Sequence, residues 1–343
     1  MIQTTGCDLE VLVEPSEQDF NRLASLTDWP CVWSQGFMRG TANENADVLI
    51  FILKRKGQPL AICFATLTRR LFRTTLRLPS FPRLLDNSPG VLSEFWAALT
   101  AYCRSNRVQS VNIASFEAKQ PLTSAPAIGK IESIEERREF FVDLCADEEA
   151  LLAICSSNHR RNIRKAKKME MDLVKSTDLD DFVAHLDAFE HTKNRREARD
   201  EGVIGLNRSF CEKLIISGEA FLLQLRKNNE VMSSFLIIET PKSAFYFSGG
   251  TTEAGMKLGA SQALMWEVML DLKQRGVKTL TLGGAPDGGT DGLNRYKLGF
   301  GAYEVNASNY QIRTGGPVIA AIVSAARRAL QLIPGRLSGQ AST

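Results

Sequence analysis

The sequence predicts a mixed α/β fold in which one structural unit occurs twice. Strand-like segments alternate with amphipathic helices along the chain, which is typical of a sheet covered by helices. A hairpin, a helix and a strand then recur in the same order at an offset of about 170 residues, which is the size of one domain. A repeated order at constant offset indicates duplication. The same order is common in α/β folds, so two unrelated units remain the alternative.

The first copy begins with a predicted hairpin. Its strands cover 48–54 and 60–67, and the Lys-Gly-Gln-Pro sequence at 56–59 forms the turn between them. An amphipathic helix over 92–105 and a strand over 108–113 follow. These elements account for most of the first half of the chain.

The second copy repeats this order and adds a strand. Its hairpin covers 221–226 and 231–239, and an aromatic strand follows over 244–247. Apolar residues recur at helical spacing through 261–275, and a strand is predicted over 277–282. The second copy therefore contains the order strand, helix, strand.

Four segments follow from this repeat. The predicted boundaries are 1–145 for the first domain, 146–316 for the second, 317–333 for a C-terminal helix and 334–343 for a disordered tail. The C-terminal helix is apolar with basic residues, so it either packs back on the first domain or makes peripheral contact with a membrane surface.

Composition limits the class of protein. The chain has 343 residues, 44% of them apolar and 24% charged, which is typical of a globular protein with a large core. A net charge of +3 is too small to indicate nucleic acid, and we expect no DNA partner. Seven cysteines without a C-x-x-C pair, and only three histidines, favour a reducing cytoplasm and no metal site. The sequence also lacks a signal peptide and a stretch long enough to span a membrane.

A basic run lies in the helix predicted over 147–169. Six cationic residues share its second half: Arg160, Arg161, Arg164, Lys165, Lys167 and Lys168. One interpretation is a solvated helix face, with the apolar residues turned to the core. The other is a surface for the phosphate groups of a nucleotide-sugar, of CoA or of a tRNA acceptor stem. The sequence leaves both open.

Two glycine-containing segments are candidates for ligand binding. The predicted turn from Met256 to Ser261 precedes a helix, and backbone N–H groups at a helix start bind phosphates. The segment 283–301 is rich in glycine, which lets the backbone approach a ligand closely. Asp287 and Asp291 in this segment are candidates to orient an amine or accept its proton, or they only form turns.

These two segments resemble the acyl-CoA N-acyltransferase (GNAT) superfamily in its FemAB-like branch, which includes the BioF2-like and CelD-like acetyltransferases. The resemblance is carried by the turn Met256 to Ser261, the helix after it, and residues Gly292, Tyr296, Lys297, Phe300 and Gly301. It implies two tandem GNAT-like domains, of which the first is degenerate. It also implies an acyltransferase that needs no metal.

The resemblance and the residue types together give a predicted site. Lys297, Tyr296 and Asp291 are the predicted catalytic residues, with Lys297 stabilising the oxyanion or holding the donor. The predicted donor-binding residues are Met256, Lys257, Leu258, Gly259, Ala260 and Ser261. The predicted substrate-binding residues are Arg195, Arg199, Tyr246, Ser248 and Asp287. The two arginines lie in a region with which the family approaches its substrate, and a charged loop is the alternative there.

One departure from the family pattern leaves the donor open. Met256 stands where acyl-CoA-binding turns have a basic or amide residue, and Ser261 replaces the final small residue. The predicted function is transfer of an acyl group, with acetyl-CoA as the first donor, to an amine of a cell-envelope or polysaccharide precursor. One alternative is transfer from aminoacyl-tRNA to a peptidoglycan precursor, with tRNA as a partner. A second alternative is an inactive RNA- or protein-binding module.

Overall fold

The structure is a computed structural model that describes residues 2–4, 6–27, 29–42, 46–71, 73–198, 205–285 and 291–314. Within these residues, fourteen strands join into one mixed sheet, which confirms the predicted α/β class. The predicted C-terminal helix and tail, along with Arg199 and Asp287, lie outside the described residues.

The strands occupy most of the segments in which apolar and aromatic residues alternate or run together. They are β1 (Ile2–Thr4), β2 (Cys7–Val13), β3 (Ala46–Arg55), β4 (Gln58–Arg70), β5 (Arg73–Leu78), β6 (Arg83–Leu84), β7 (Ser110–Ile113), β8 (Lys130–Asp143), β9 (Asp172–Ser176), β10 (Ala220–Lys227), β11 (Glu230–Glu239), β12 (Ser243–Thr251), β13 (Thr279–Ala285) and β14 (Tyr303–Arg313).

The helices begin mostly at Ser, Asp, Thr or Asn residues whose side chains accept a hydrogen bond from the first turn. They are α1 (Glu17–Ala24), α2 (Gln35–Thr41), α3 (Val91–Ser105), α4 (Glu148–Ile154), α5 (Ser157–Lys167), α6 (Leu179–Glu197), α7 (Arg208–Ile216), α8 (Glu253–Leu258), α9 (Ala260–Gln274) and α10 (Asp291–Leu298). A 3₁₀ turn spans Cys31–Trp33.

The element order repeats along the chain, as the sequence predicted. The hairpin β3–β4, helix α3 and strand β7 of the first half correspond to β10–β11, α9 and β13 of the second. Helices lie on both faces of the sheet. In β11, for example, Ser234 hydrogen-bonds to His185 of α6, while its neighbour Phe235 packs with residues of α9, because successive strand side chains point to opposite faces.

The two halves exchange strands at their junction. The strands follow the order β1-β2-β3-β4-β5-β7-β14-β8-β13-β12-β11-β10-β9, with β6 on β4. Strand β8, which precedes the predicted boundary at Cys145, pairs with β13 and β14 of the second half. Strand β14 in turn pairs with β7 of the first half. The sheet is therefore continuous across the junction.

Two helix predictions need correction. The single helix predicted over 147–169 is two helices, α4 and α5, because Cys155 is extended and Ser156 caps the second helix by accepting from the amide of His159. The region of Arg195, for which a charged loop was one interpretation, belongs to α6, which extends as far as Glu197. Arg195 therefore lies on a helix and not in a loop.

A contact between helices of the two halves fixes how they meet. Glu219 accepts hydrogen bonds from the Ser34 hydroxyl at 2.6 Å and from the Gly36 amide at 2.7 Å, at the start of α2. A carboxylate at a helix start is stabilised by the free N–H groups there. Next to it, the rings of Phe37 in α2 and Phe210 in α7 meet edge to face at 5.3 Å. The first half is thus anchored to the second beside the sheet.

Candidate active site

The candidate site lies where two parallel strands part. Strands β12 and β13 pair only over 243–245 and 279–281. Beyond Phe245, β12 continues beside β11, with Phe247 as the extra residue of a bulge, while β13 continues beside β8. Bulges next to parted strands leave backbone groups free to meet a ligand, and they are frequent at active sites.

A second bulge, in β13, receives the predicted catalytic lysine. Gly283 has a φ of +72°, a conformation that favours glycine. The Lys297 ammonium donates to the carbonyl oxygen of Gly283 at 3.0 Å and to that of Gly284 at 2.7 Å. Its Nζ also lies 5.3 Å from the centroid of the Phe140 ring. Lys297 is only 5% exposed, so it is buried and not solvated.

Burial changes the titration of this lysine. Loss of solvent lowers the pKa of Lys297 to about 7; the carboxylate of Glu139 opposes this shift, and the charges of Arg137 and Arg196 add to it. The side chain therefore titrates near neutral pH, and it has one proton beyond the two donated to carbonyls. Groups with such pKa values are common at catalytic sites.

Two buried carboxylates, which the sequence reasoning missed, complete the cluster. Glu139 of β8 lies opposite Gly284 in the strand pairing, and burial raises the pKa of its carboxyl. Its Oε2 accepts the amide N–H of Glu117 at 2.6 Å. Burial raises the pKa of Glu117 itself to about 7, although its Oε2 accepts the Val32 amide at 2.8 Å. A glutamate directly before the apolar Phe-Phe-Val of β8 was the available signal.

An arginine adds a cation to the same face of the sheet. Arg137 lies 3.4 Å from Glu139 and stacks 4.0 Å above the Phe116 ring. Its buried Nε finds no hydrogen-bond partner within the described part of the chain. A buried donor without a partner is costly, so a ligand atom is a favourable neighbour for it.

The predicted catalytic Tyr296 lies beside the predicted donor-binding Ser261. The Ser261 hydroxyl donates to the Tyr296 hydroxyl at 2.8 Å. Burial raises the pKa of Tyr296 well above its usual value, so this phenol stays protonated and acts by packing and hydrogen bonding. Of Asp291, the structure describes only the backbone, as the first residue of α10.

Comparison with known proteins identifies the second half. Residues 155–298, which include α9, Tyr296 and Lys297, match the model of an acetyltransferase (GNAT) domain. This part of the chain is therefore similar to GNAT acetyltransferase domains. No curated protein matches its sequence.

Solved structures extend the likeness to the whole fold. The chain is similar to FemX, with a TM-score of 0.71 at 12% identity, over 92% of this chain and 100% of that one. It is also similar to a tandem GNAT protein from the clavulanic acid biosynthesis pathway, with a TM-score of 0.51 at 12% identity over 90% and 99%. A conserved protein of unknown function from Bacteroides thetaiotaomicron gives 0.55 at 10% identity over 89% and 99%. The fold is thus similar to those of FemX and of a tandem GNAT protein.

The predicted donor turn is more helical than expected. Met256, Lys257 and Leu258 end helix α8, and Gly259 alone, with a φ of +76°, separates α8 from α9. Gly259 is covered by α5, because a Cβ added there would lie 3.1 Å from the carbonyl oxygen of Asn162. Ala260 is fully buried behind it.

The basic helix α5 lies against this turn. The Lys165 ammonium donates to the Lys257 carbonyl at 2.6 Å. Arg164, Lys167 and Lys168 are exposed, whereas Arg160 donates to the carbonyl oxygens of Ala153 and Cys155 and so caps α4. Most of the run is therefore a solvated face, and Lys165 brings it to the start of α9.

The predicted substrate-binding residues have different environments. Arg195 of α6 donates to the Thr251 carbonyl at 3.4 Å, at the end of β12. Tyr246 packs its ring on Phe235 beside the bulge, with centroids 4.8 Å apart, and burial raises the pKa of its phenol. Ser248 is buried under α6 and does not face the parted strands.

Ser248 belongs to a buried polar network that the sequence reasoning also missed. His185 of α6 lies 2.9 Å from the hydroxyls of both Ser248 and Ser234. Gln224 donates to the same Ser234 hydroxyl at 3.1 Å. Burial lowers the pKa of His185 to about 4, so its imidazole is neutral at physiological pH. This network holds α6 to the sheet.

Two further properties of the described residues concern metal ions and membranes. No group of three or more His, Cys, Asp or Glu residues is arranged there to hold a metal ion. None of the helices described combines the length and the apolar character that crossing a bilayer requires.

Proposed function

We propose that this acyltransferase moves an acyl group from acyl-CoA, with acetyl-CoA as the first candidate, to an amine of a cell-envelope or polysaccharide precursor. The observation that carries the proposal is the buried Lys297 at the parted strands β12 and β13, beside Glu139. The amine and the thioester carbonyl meet at that opening.

The residues have distinct roles in this reaction. The amine nitrogen attacks the carbonyl carbon, and the third N–H of Lys297 stabilises the negative charge that develops on the carbonyl oxygen. Glu139, whose pKa burial raises, takes the proton that the amine loses. The C–N bond forms as the C–S bond breaks, and the CoA sulfur leaves as a thiolate that takes up a proton. Arg137 orients the acceptor through its unpaired Nε.

The start of α9 supports a phosphate-bearing donor. Helix N-termini favour anions, and Lys165 brings an ammonium group close to this one, where it donates to the Lys257 carbonyl. The Ser261 to Tyr296 hydrogen bond joins this end of α9 to α10, which carries Lys297. The donor phosphates and the reacting carbonyl therefore lie along one connected path.

A second candidate donor is aminoacyl-tRNA, with a peptidoglycan precursor as the acceptor. Asn162 covers Gly259, which reduces the room for a diphosphate at this turn. The exposed cations of α5 are suited to a longer phosphate backbone. Either donor fits a cytoplasmic protein, and the free thiols, six of them buried, favour a reducing compartment.

Calorimetric titration with acetyl-CoA, and separately with CoA, tests the donor. Saturable micromolar binding of both is the expected result, with little change in Lys297→Met because that lysine acts on the carbonyl. The matched control is Lys213→Met, an exposed lysine of α7. Absence of binding to either molecule contradicts the acyl-CoA proposal, and titration with aminoacyl-tRNA then tests the second candidate.

A further inference from the structure

A polar cavity lies on the sheet of the first half, away from Lys297. Its volume is about 230 Å³, and its lining includes Thr66, Thr68 and Arg70 of β4 and Arg73, Thr75 and Arg77 of β5. Asn112 of β7 closes one side. The lining contains hydroxyl, amide and guanidinium groups and no carboxylate. We call this space the arginine cavity.

The strand register explains why these side chains share one face. Thr66, Thr68 and Arg70 alternate along β4, so their side chains point the same way. In the antiparallel pairing, Arg70 lies opposite Arg73 and Thr68 opposite Thr75. The cavity is therefore a regular property of the hairpin, not a chance gap between loops.

This arrangement puts like charges next to each other. Arg70 and Arg73 occupy directly paired positions, where two cations destabilise a sheet. In the described part of the chain, neither of them nor Arg77 forms an ion pair with a carboxylate, and Arg73 donates only to the Ser110 hydroxyl at 3.1 Å. By contrast, Arg69 on the opposite face pairs with Asp47, and Arg55 pairs with Glu94. A bound anion removes the repulsion.

We propose that the arginine cavity binds a phosphate group. Guanidinium groups hold phosphate oxygens through two parallel hydrogen bonds, and threonine hydroxyls donate further bonds to the same oxygens. An apolar ligand gains nothing from this lining. The phosphate belongs either to a free phosphate ester or to a lipid headgroup, since Leu71 at the tip of the same hairpin is 86% exposed.

The proposal does not depend on the acyl-transfer reaction. Strands β14 and β8 lie between β7, at the edge of the cavity, and β13, which carries the Lys297 contacts. At about 4.8 Å per strand, the separation is roughly 14 Å. Binding at the arginine cavity is therefore measured without donor or acceptor, and its failure leaves the proposed acyl transfer untouched.

Calorimetric titration of the full chain with inorganic pyrophosphate tests the proposal. We expect saturable binding that weakens about tenfold for each guanidinium removed in Arg70→Gln and Arg77→Gln. Thr68→Val, which keeps the side-chain shape, should weaken binding by a smaller factor. The matched control removes two exposed cations of the same half, Lys56→Gln with Arg104→Gln, and should bind as the parent does.

Vesicles distinguish the two sources of phosphate. Retention on phosphatidylglycerol but not phosphatidylcholine vesicles, lost in Leu71→Ser while pyrophosphate binding persists, assigns the cavity to a lipid headgroup. Pyrophosphate binding without vesicle retention assigns it to a free phosphate ester. The proposal is overturned if neither probe binds, if the double arginine variant binds like the parent, or if the control pair loses binding equally.

Discussion

The two halves of the molecule share a strand, helix, strand unit and differ in how its two parallel strands pair. In both, a helix that starts at a left-handed glycine joins two parallel strands: α3 follows Gly90, with a φ of +96°, and α9 follows Gly259, with a φ of +76°. In the first half the parallel strands β5 and β7 stay paired over 75–78 and 110–113. In the second half β12 and β13 part after three residues.

The point where β12 and β13 separate determines where the candidate catalytic groups lie. After β13, helix α10 brings Lys297 to the carbonyls of the bulge. After β7, the corresponding stretch forms no helix and brings Glu117 to the same junction, where its amide holds Glu139. The repeated arrangement of strands and helix thus supplies the ammonium group of Lys297 from one copy and the carboxylate of Glu117 from the other. The first half is therefore part of the candidate site.

Among the variants that compare the two halves, Lys297→Met should cause the largest loss of activity. The change removes the N–H group that stabilises the oxyanion, so we expect kcat/KM to fall by about 100-fold or more. Thermal stability should stay equal or rise, since a buried ammonium is replaced by an apolar side chain. Acetyl transfer and thermal unfolding are measured beside Lys213→Met, and unchanged turnover removes Lys297 from the mechanism.

The sequence predicted roles for Lys297 and Tyr296 because their segment resembles a motif of a known family. It missed Glu139, Glu117 and His185, which have hydrogen-bond partners 22 or more residues away along the chain, although Glu139 also contacts nearby Arg137. Single residues of this kind have no periodic signal, and only the tertiary fold brings them together. The exchange of β8 and β14 could not be predicted either. A sequence repeat gives the order of the elements along the chain but not which strands pair in the sheet.

Glu139→Gln should have the next largest effect, because it tests whether the first half contributes to catalysis through β8. The amide keeps the shape but cannot accept the amine proton, so we expect kcat/KM to fall by about 100-fold. The pH dependence of kcat/KM should also lose its acidic limb. Glu135→Gln, an exposed change on the same strand, is the matched control. A parent-like profile in Glu139→Gln assigns the proton to another acceptor.

Glu117→Gln should change how the free energy of unfolding depends on pH between about 4.5 and 7. The folded protein holds the proton of Glu117 up to about pH 7, whereas the unfolded chain releases it near 4.5. The contribution of this group is therefore full below pH 4.5 and is lost as pH rises to 7, by roughly 3 kcal/mol at most.

Urea unfolding at pH 5 and pH 7 measures this contribution. Glu117→Gln mimics the protonated form, so its free energy of unfolding should fall less than that of the parent between the two values. Lys297, whose lowered pKa raises stability with pH only above about 7, does not interfere in this range. Equal slopes for parent and variant show that Glu117 is ionised in the folded protein.

The smallest effects are expected for alanine substitutions at the two glycines that precede α3 and α9, and the two substitutions should differ in their loss of stability. A Cβ at Gly90 meets no atom within 4 Å, so Gly90→Ala carries only the strain of a left-handed residue, about 1 kcal/mol. A Cβ at Gly259 lies 3.1 Å from both the Cβ and the carbonyl oxygen of Asn162. Gly259→Ala therefore adds displacement of α5 to the same strain, and we expect about 2 kcal/mol.

The pair also tests whether α5 belongs to the donor site. If α5 presents its cations to the donor, Gly259→Ala should weaken acetyl-CoA or aminoacyl-tRNA binding beyond its effect on unfolding, while Gly90→Ala leaves binding unchanged. Equal losses of stability in the two variants contradict the close packing of α5 on this turn. If Gly259→Ala loses stability but keeps its donor affinity, α5 only packs against this turn. The phosphates of the donor then bind elsewhere.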